Sequence, residues 1–199
     1  MSNFWNELKN LFRKNVLNDA EETSDEIDIS YPEEIPTDER FVTNYTKAGG
    51  NFFYCENMKI ASQYLKTILE NEKLGPLICF DENLQKWLTQ LGVFHIHGIS
   101  ATADSCLIKC ISLNAFNGSI ILSSKDLGGR FPKDLPHTFI VLARFSQIEN
   151  NLKDAMIKIN RSKESVGSIT SIGGTDIAHH TNLENSLKPK IYLLLLEDE

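Results

Sequence analysis

Hydrophobic positions along this chain alternate between two spacings, and the alternation predicts strands and helices in turn. Asn51–Cys55 (NFFYC) is a short aromatic strand entered through Gly49-Gly50. Asn57–Asn71 carries Ile60, Ala61, Tyr64, Leu65 and Ile68 on one helical face. Pro76–Phe80 (PLICF) is a near-continuous apolar run, as in a strand buried on both faces. Glu82–Leu91 is helical, with Leu84, Leu88 and Leu91 facing inward and Gly92 ending it. Val93–His97 is a further strand, and Ala101–Leu113 mixes helix and strand signals. Ser119–Ser124 and Thr138–Ala143 (TFIVLA) are strands, Gln147–Ile159 is a helix, and Ile191–Leu196 closes the chain as a central strand. This rhythm predicts an α/β domain with a mostly parallel open sheet and helices on both faces. In such sheets ligands bind where the carboxyl ends of strands meet loops.

The first 40 residues read differently. Phe4–Val16 has Phe4, Leu8, Leu11 and Phe12 at helical spacing. Such a helix can pack on its own domain, or dock on a partner or membrane surface with Trp5, Lys9, Arg13 and Lys14. Asp19–Glu39 holds ten acidic side chains and no Lys or Arg. With few large apolar groups it cannot offset its ordering entropy, so a flexible acidic linker is expected over 19–39, following an N-terminal helix in 1–18. The folded domain is expected over 40–199. The net charge of -7 mostly reports this linker, because the remaining chain holds 20 basic and 17 acidic residues. No basic, aromatic-interleaved patch favours nucleic acid. No run approaches the ~20 apolar residues of a membrane span, and Glu7, Lys9 and Arg13 interrupt any signal-peptide core. A cytoplasmic location is expected.

Motif chemistry is sparse. GxGxxG, GxxxxGK[ST] and GxSxG are all absent. Cys55 and Cys79 lie in apolar runs where a reduced, buried thiol is usual. Cys106 and Cys110, four apart, could share a helix face, but two thiols alone do not complete a zinc or iron–sulfur site. His95 and His97 leave one strand face together. They can pair as a hydrogen-bonded couple or hold a metal, yet no acidic or cysteine cluster completes a set. His137 suits a loop cap. No metal and no cofactor is therefore expected on this chain. Gly173-Gly174-Thr175-Asp176 precedes His179-His180 as a helix start, suited to plain capping or to an anion.

The richest stretch is Asn114–Arg130, NAFNGSIILSSKDLGGR. Asn117-Gly118 supplies a tight turn with positive φ. Ser119 opens a strand, and Ser123 and Ser124 offer hydroxyls at its end. Gly128-Gly129-Arg130 allows close backbone approach beside a cation that suits a carboxylate or phosphate. The candidate ligand-binding residues are Asn117, Gly118, Ser119, Ser123, Ser124, Gly129, Arg130, Thr175 and Asp176. A polar hairpin without a ligand would have the same pattern.

Ala115–Ser119, Ile120–Ser124, Gly129-Arg130, Leu135–Val141 and Ser146–Ala155, with the closing SITSIGGTDIAHH segment, resemble the LUD domain of the lactate-utilisation protein C family. The resemblance runs from about Asn51 to Asp198. It implies a fold of the NagB/RpiA/CoA-transferase-like type. It also implies a subunit that supports oxidation of L-lactate to pyruvate beside iron–sulfur partner proteins, which carry the clusters, and that binds a small anionic ligand. Departures are specific. Phe116 and Asn117 stand where the family has an acidic residue and Thr, Ala178 replaces a Glu, and Glu184–Lys188 lacks the family's Gly-x-His-Gly-Pro turn. A degenerate, non-catalytic interaction or regulatory module is the alternative that these departures leave open.

Overall fold

The computed structural model describes residues 5, 35–98, 102–161, 166–175 and 189–198. Its elements in chain order are α1 (Thr37–Lys47), β1 (Asn51–Cys55), α2 (Met58–Asn71), β2 (Leu77–Cys79), α3 (Glu82–Leu91), β3 (His95–Ile96), β4 (Ser105–Lys109), β5 (Ser112–Asn114), β6 (Ser119–Ser123), β7 (Thr138–Arg144), β8 (Ile148–Glu149), α4 (Leu152–Arg161), β9 (Ile169–Ile172) and β10 (Lys190–Leu196). Six strands form a parallel sheet in the order β1-β10-β7-β4-β2-β3. The expected α/β class with a parallel sheet flanked by helices is the one observed.

Side-chain alternation along the strands builds two cores. Tyr192, Leu194 and Leu196 of β10, with Ile140 and Leu142 of β7, face α2 and α3 and meet Ala61, Leu65, Ile68, Leu84 and Leu88. Ile191, Leu193 and Leu195, with Phe139, Val141 and Ala143, face the other way onto Phe41 and Tyr45 of α1 and onto Leu113, Ile120 and Leu122. Each such fully buried side chain contributes about 1.5–3 kcal/mol of transfer free energy. Helix starts follow from local capping. The Asn57 side chain accepts from the Lys59 and Ile60 amides, and Asp81 accepts from Leu84. Gly92 ends α3 at φ 70°, in the left-handed region that glycine occupies without strain.

Four features depart from the pattern-based expectations. First, β5, β6, β8 and β9 form a separate four-stranded sheet in the order β8-β5-β6-β9. Its β6 is buried throughout, antiparallel to β5 and β9. Second, Cys106 and Cys110 do not share a helix. They lie on and just after β4, and all four cysteines are free and buried. Third, α4 starts at Leu152, not Gln147. The Asn151 side chain accepts from the Asp154 amide there, while Phe145–Gln147 is a 3-10 turn and Ile148–Glu149 pairs with β5. Fourth, α1 begins at Thr37, so ordered structure extends three residues upstream of Arg40. Asp38 and Glu39 sit in its first turn, where the helix dipole favours acidic groups. Residues 19–34 and the Phe4–Val16 segment, Trp5 excepted, lie outside the described residues. Among the described residues no helix is long and apolar enough to cross a membrane.

Candidate functional site

Strand β6 divides the Asn114–Arg130 segment between two places. Its five residues separate the Ser119 and Ser123 Cα atoms by about 13 Å at strand rise. At the Ser119 end, the Asn117-Gly118 turn is clamped onto α1. The buried Asn44 side chain donates to the carbonyls of Ala115 (2.9 Å) and Phe116 (3.1 Å). Gly118 has φ +71°, and a Cβ there would lie 2.3 Å from the Tyr45 amide nitrogen. The Thr175 amide donates to the Asn117 carbonyl at 2.9 Å, and Gly174 packs against Ser119. Gly173 touches Ile191, near the amino end of β10. This cluster is thus tied together by its own backbone, on the amino-end side of the main sheet. Asp176, Ala178, His179, His180 and Glu184–Lys188 lie outside the described residues. Phe116 is 68% exposed.

At the other end, Ser123 and the following turn approach the carboxyl end of β2. The Ser123 hydroxyl and amide both bond the Asp126 carboxylate, at 2.8 and 3.0 Å. Gly128 lies against the Phe80 ring, and the Gly129 amide closes the turn onto the Ser124 carbonyl. A cleft of 660 Å³ opens here, with Ser123 on its wall. Ser124, Gly129 and Arg130 are outside its lining, and Arg130 is exposed on the same turn. So of the nine candidate residues, the structure brings Asn117, Gly118, Ser119 and Thr175 to one place and Ser123 to another, where a cleft exists.

The cleft is built at the carboxyl ends of parallel strands. Asp81 follows β2, Lys109 and Cys110 end β4, and Gln147 follows β7. Lys109 Nζ and Asp81 Oδ2 form an ion pair at 2.8 Å. Burial opposes ionisation of Asp81, but bonds from Lys109 and the Leu84 amide outweigh it and hold its carboxyl below its ordinary value. Gln147 Nε2 donates to the Cys110 carbonyl at 2.7 Å, and the Ser112 hydroxyl donates to the Gln147 carbonyl at 3.0 Å. Lys158 pairs with Glu149 at 2.5 Å. Lys125, exposed at the rim, makes no ion pair among the described residues. Apolar walls come from Phe80, Ala155 and Ile159.

Burial disfavours the thiolate form of all four cysteines, of which Cys110 lines the cleft. Burial pushes Cys55, Cys79 and Cys106 up to about 12, and burial with the nearby Asp126 raises Cys110 further. His95 and His97 lie with ring centroids 5.3 Å apart, and His95 Nδ1 is 3.1 Å from the Val93 carbonyl. Among the described residues no group of His, Cys, Asp or Glu could hold a metal ion. Sequence reasoning missed Asp81, Lys109, Ser112, Lys125, Gln147 and Lys158. The rule that ligands meet strand carboxyl ends would have found Asp81, Lys109 and Gln147, each at or after such an end.

Fold and cleft together define an open α/β domain with a ligand-sized opening at the carboxyl edge of its parallel sheet. The chain is similar to a crystal structure of a DUF162 family protein from Deinococcus radiodurans, with a TM-score of 0.61 and 16% identity, covering 83% of this chain and 100% of that one. The likeness establishes the fold. No family profile and no curated protein matches the sequence.

Proposed function

We propose that this chain is a LUD-type domain whose cleft at the carboxyl ends of β2, β4 and β7 binds a small organic anion. The observation that carries the reading is charge placement in that cleft. Lys109 and Lys158 are matched by Asp81 and Glu149; of the two further lining carboxylates, Asp126 is turned onto the Ser123 amide and hydroxyl and Glu82 sits in the first turn of α3, while Lys125 makes no ion pair among the described residues. A volume of 660 Å³ lies within the usual range for small-molecule sites. In the setting implied by the family resemblance, the domain serves beside iron–sulfur proteins that oxidise L-lactate to pyruvate. Burial of Cys110, the cysteine on the cleft wall, disfavours its thiolate and so argues against a cysteine nucleophile there.

A second reading, a non-catalytic interaction module, is favoured by one observation: exposed Phe116 stands where the family carries a carboxylate. Thermal-shift screening with L-lactate, pyruvate, nucleotides and CoA thioesters separates the two. Saturating anion stabilises by about 2–3 kcal/mol at a hundredfold excess over Kd, several degrees in Tm. The cleft reading requires that shift to vanish in Lys125→Ala and persist in Arg130→Ala. No shift with any of them, combined with capture of a partner protein that depends on Phe116, favours the second.

A further inference from the structure

The paired histidines at the sheet edge take no part in the cleft. Strand β3 is the outermost strand of the main sheet and pairs only with β2 among the described residues. His95 lies on it half-buried, and His97 follows it exposed to solvent. Residues two apart along extended chain leave the same face, and the two imidazole centroids stand 5.3 Å apart. His95 Nδ1 is 3.1 Å from the Val93 carbonyl. A carbonyl can only accept, so Nδ1 carries the proton and the lone pair is left on Nε2. Among the described residues that Nε2 has no hydrogen-bond partner, and neither has either nitrogen of His97. One ring nitrogen donating to a backbone carbonyl while the other stays open is how metal-ligating histidines are held.

Ring spacing selects the geometry. Two imidazoles bound to one ion at about 2.0–2.1 Å hold their centroids about 5.2 Å apart at a tetrahedral angle. A square-planar centre would draw them in to about 4.5 Å. The observed 5.3 Å fits the tetrahedral case, which zinc favours. One chain cannot close such a site, because no third His, Cys, Asp or Glu joins the pair among the described residues, and structural zinc takes four ligands. We infer that His95 and His97 are half of a zinc site that a second copy of this chain completes with the same pair, the ion lying on the two-fold axis between two β3 edges. A two-fold contact presents one patch from both copies, so a pair of ligands becomes four. The free edge of β3 lets the copies approach, and Phe94, 71% exposed beside the pair, offers apolar surface for the contact to cover.

The test uses the full, untagged chain, stripped of metal and titrated with zinc chloride near neutral pH. Bound zinc is read by competition with a chromophoric chelator, and mass by sedimentation velocity. One zinc per two chains is expected, with conversion of monomer to dimer that EDTA reverses. His95→Gln and His97→Gln, checked for an unchanged circular dichroism spectrum, should each weaken zinc binding at least about tenfold, since losing even a supporting partner costs that much at such sites. Both variants should also stay monomeric in zinc. His179→Gln combined with His180→Gln, at the chain's other histidine pair, leaves stoichiometry and dimer unchanged. Lys125→Ala in the anion cleft does the same, so failure of that cleft and failure of this site are read separately. No uptake at micromolar zinc, zinc held one per monomer, uptake that survives both single variants, or a dimer that forms equally without metal overturns the inference.

Discussion

Replacing Gly118 with alanine asks whether the Asn117-Gly118 turn is a ligand loop or a structural clamp. Two costs can be worked from the geometry. Gly118 sits at φ +71°, a conformation that costs an L-residue about 1–2 kcal/mol. The added methyl would also lie 2.3 Å from the Tyr45 nitrogen and 2.5 Å from the Asn44 carbonyl carbon. Both are backbone atoms of α1, which cannot rotate away as a side chain would, so relief requires the turn to lift off the helix. Overpacking of this kind costs about 1–3 kcal/mol. The sum, about 2–5 kcal/mol, lowers Tm by roughly 5–15 °C in a chain of this size. Gly129→Ala is the control. Its φ of +79° carries the same conformational cost, but a Cβ there meets nothing within 4 Å. Urea denaturation of both variants therefore isolates the contact term as the difference between them. Equal losses in the two variants would refute the clamp, as would a Gly118→Ala protein as stable as the parent.

Other consequences follow from the same packing. Asn44→Ala strands the Ala115 and Phe116 carbonyls that it serves, and loses about 1–3 kcal/mol by chemical denaturation. Asp81→Ala removes both the cap of α3 and the partner of Lys109, lowering stability by about 1 kcal/mol. Hydrogen bonds from Lys190 and Tyr192 lower Glu72, and bonds from Lys109 and Leu84 overcome burial to lower Asp81. Their contributions are present above the ordinary carboxylate range and are lost as pH falls through it. Tm should hold from neutrality to about pH 5 and decline below about pH 4, less steeply in Asp81→Asn. The four buried thiols should resist a disulfide reagent at pH 8 in native protein and all react once urea unfolds it.

Much of the fold was legible because its signals are local. Strand β10 is an unbroken apolar run with neighbours on both sides, and the sequence marks it as such. Helices α2 and α3 carry both their apolar stripes and their caps within a few residues of sequence. The second sheet was not legible, since its strands are short and gain their partners only through tertiary contacts. Ser112–Asn114 finds β6 in sequence, but pairs with β8 from 35 residues away. The start of α4 was hidden because Gln147-Ile148-Glu149 matches helical spacing while its backbone bonds are taken by β5 and by the 3-10 turn. The candidate site failed to hold together for a geometric reason. Asn117 and Ser123, six apart, look like neighbours in sequence, yet Asn117 lies in the turn before β6 and Ser123 at its far end, about 13 Å of strand away from Ser119. The cleft residues come instead from four separate loops, and only the strand-end rule links them.

The most direct test of the cleft is chemical-shift mapping on isotopically labelled protein titrated with pyruvate, L-lactate and inorganic phosphate in turn. Saturable perturbations centred on Lys109, Ser112, Ser123 and Lys125 with at least one of these anions are the predicted result. Perturbations centred on Asn117, Gly118 and Thr175, with the cleft unmoved, would contradict the account.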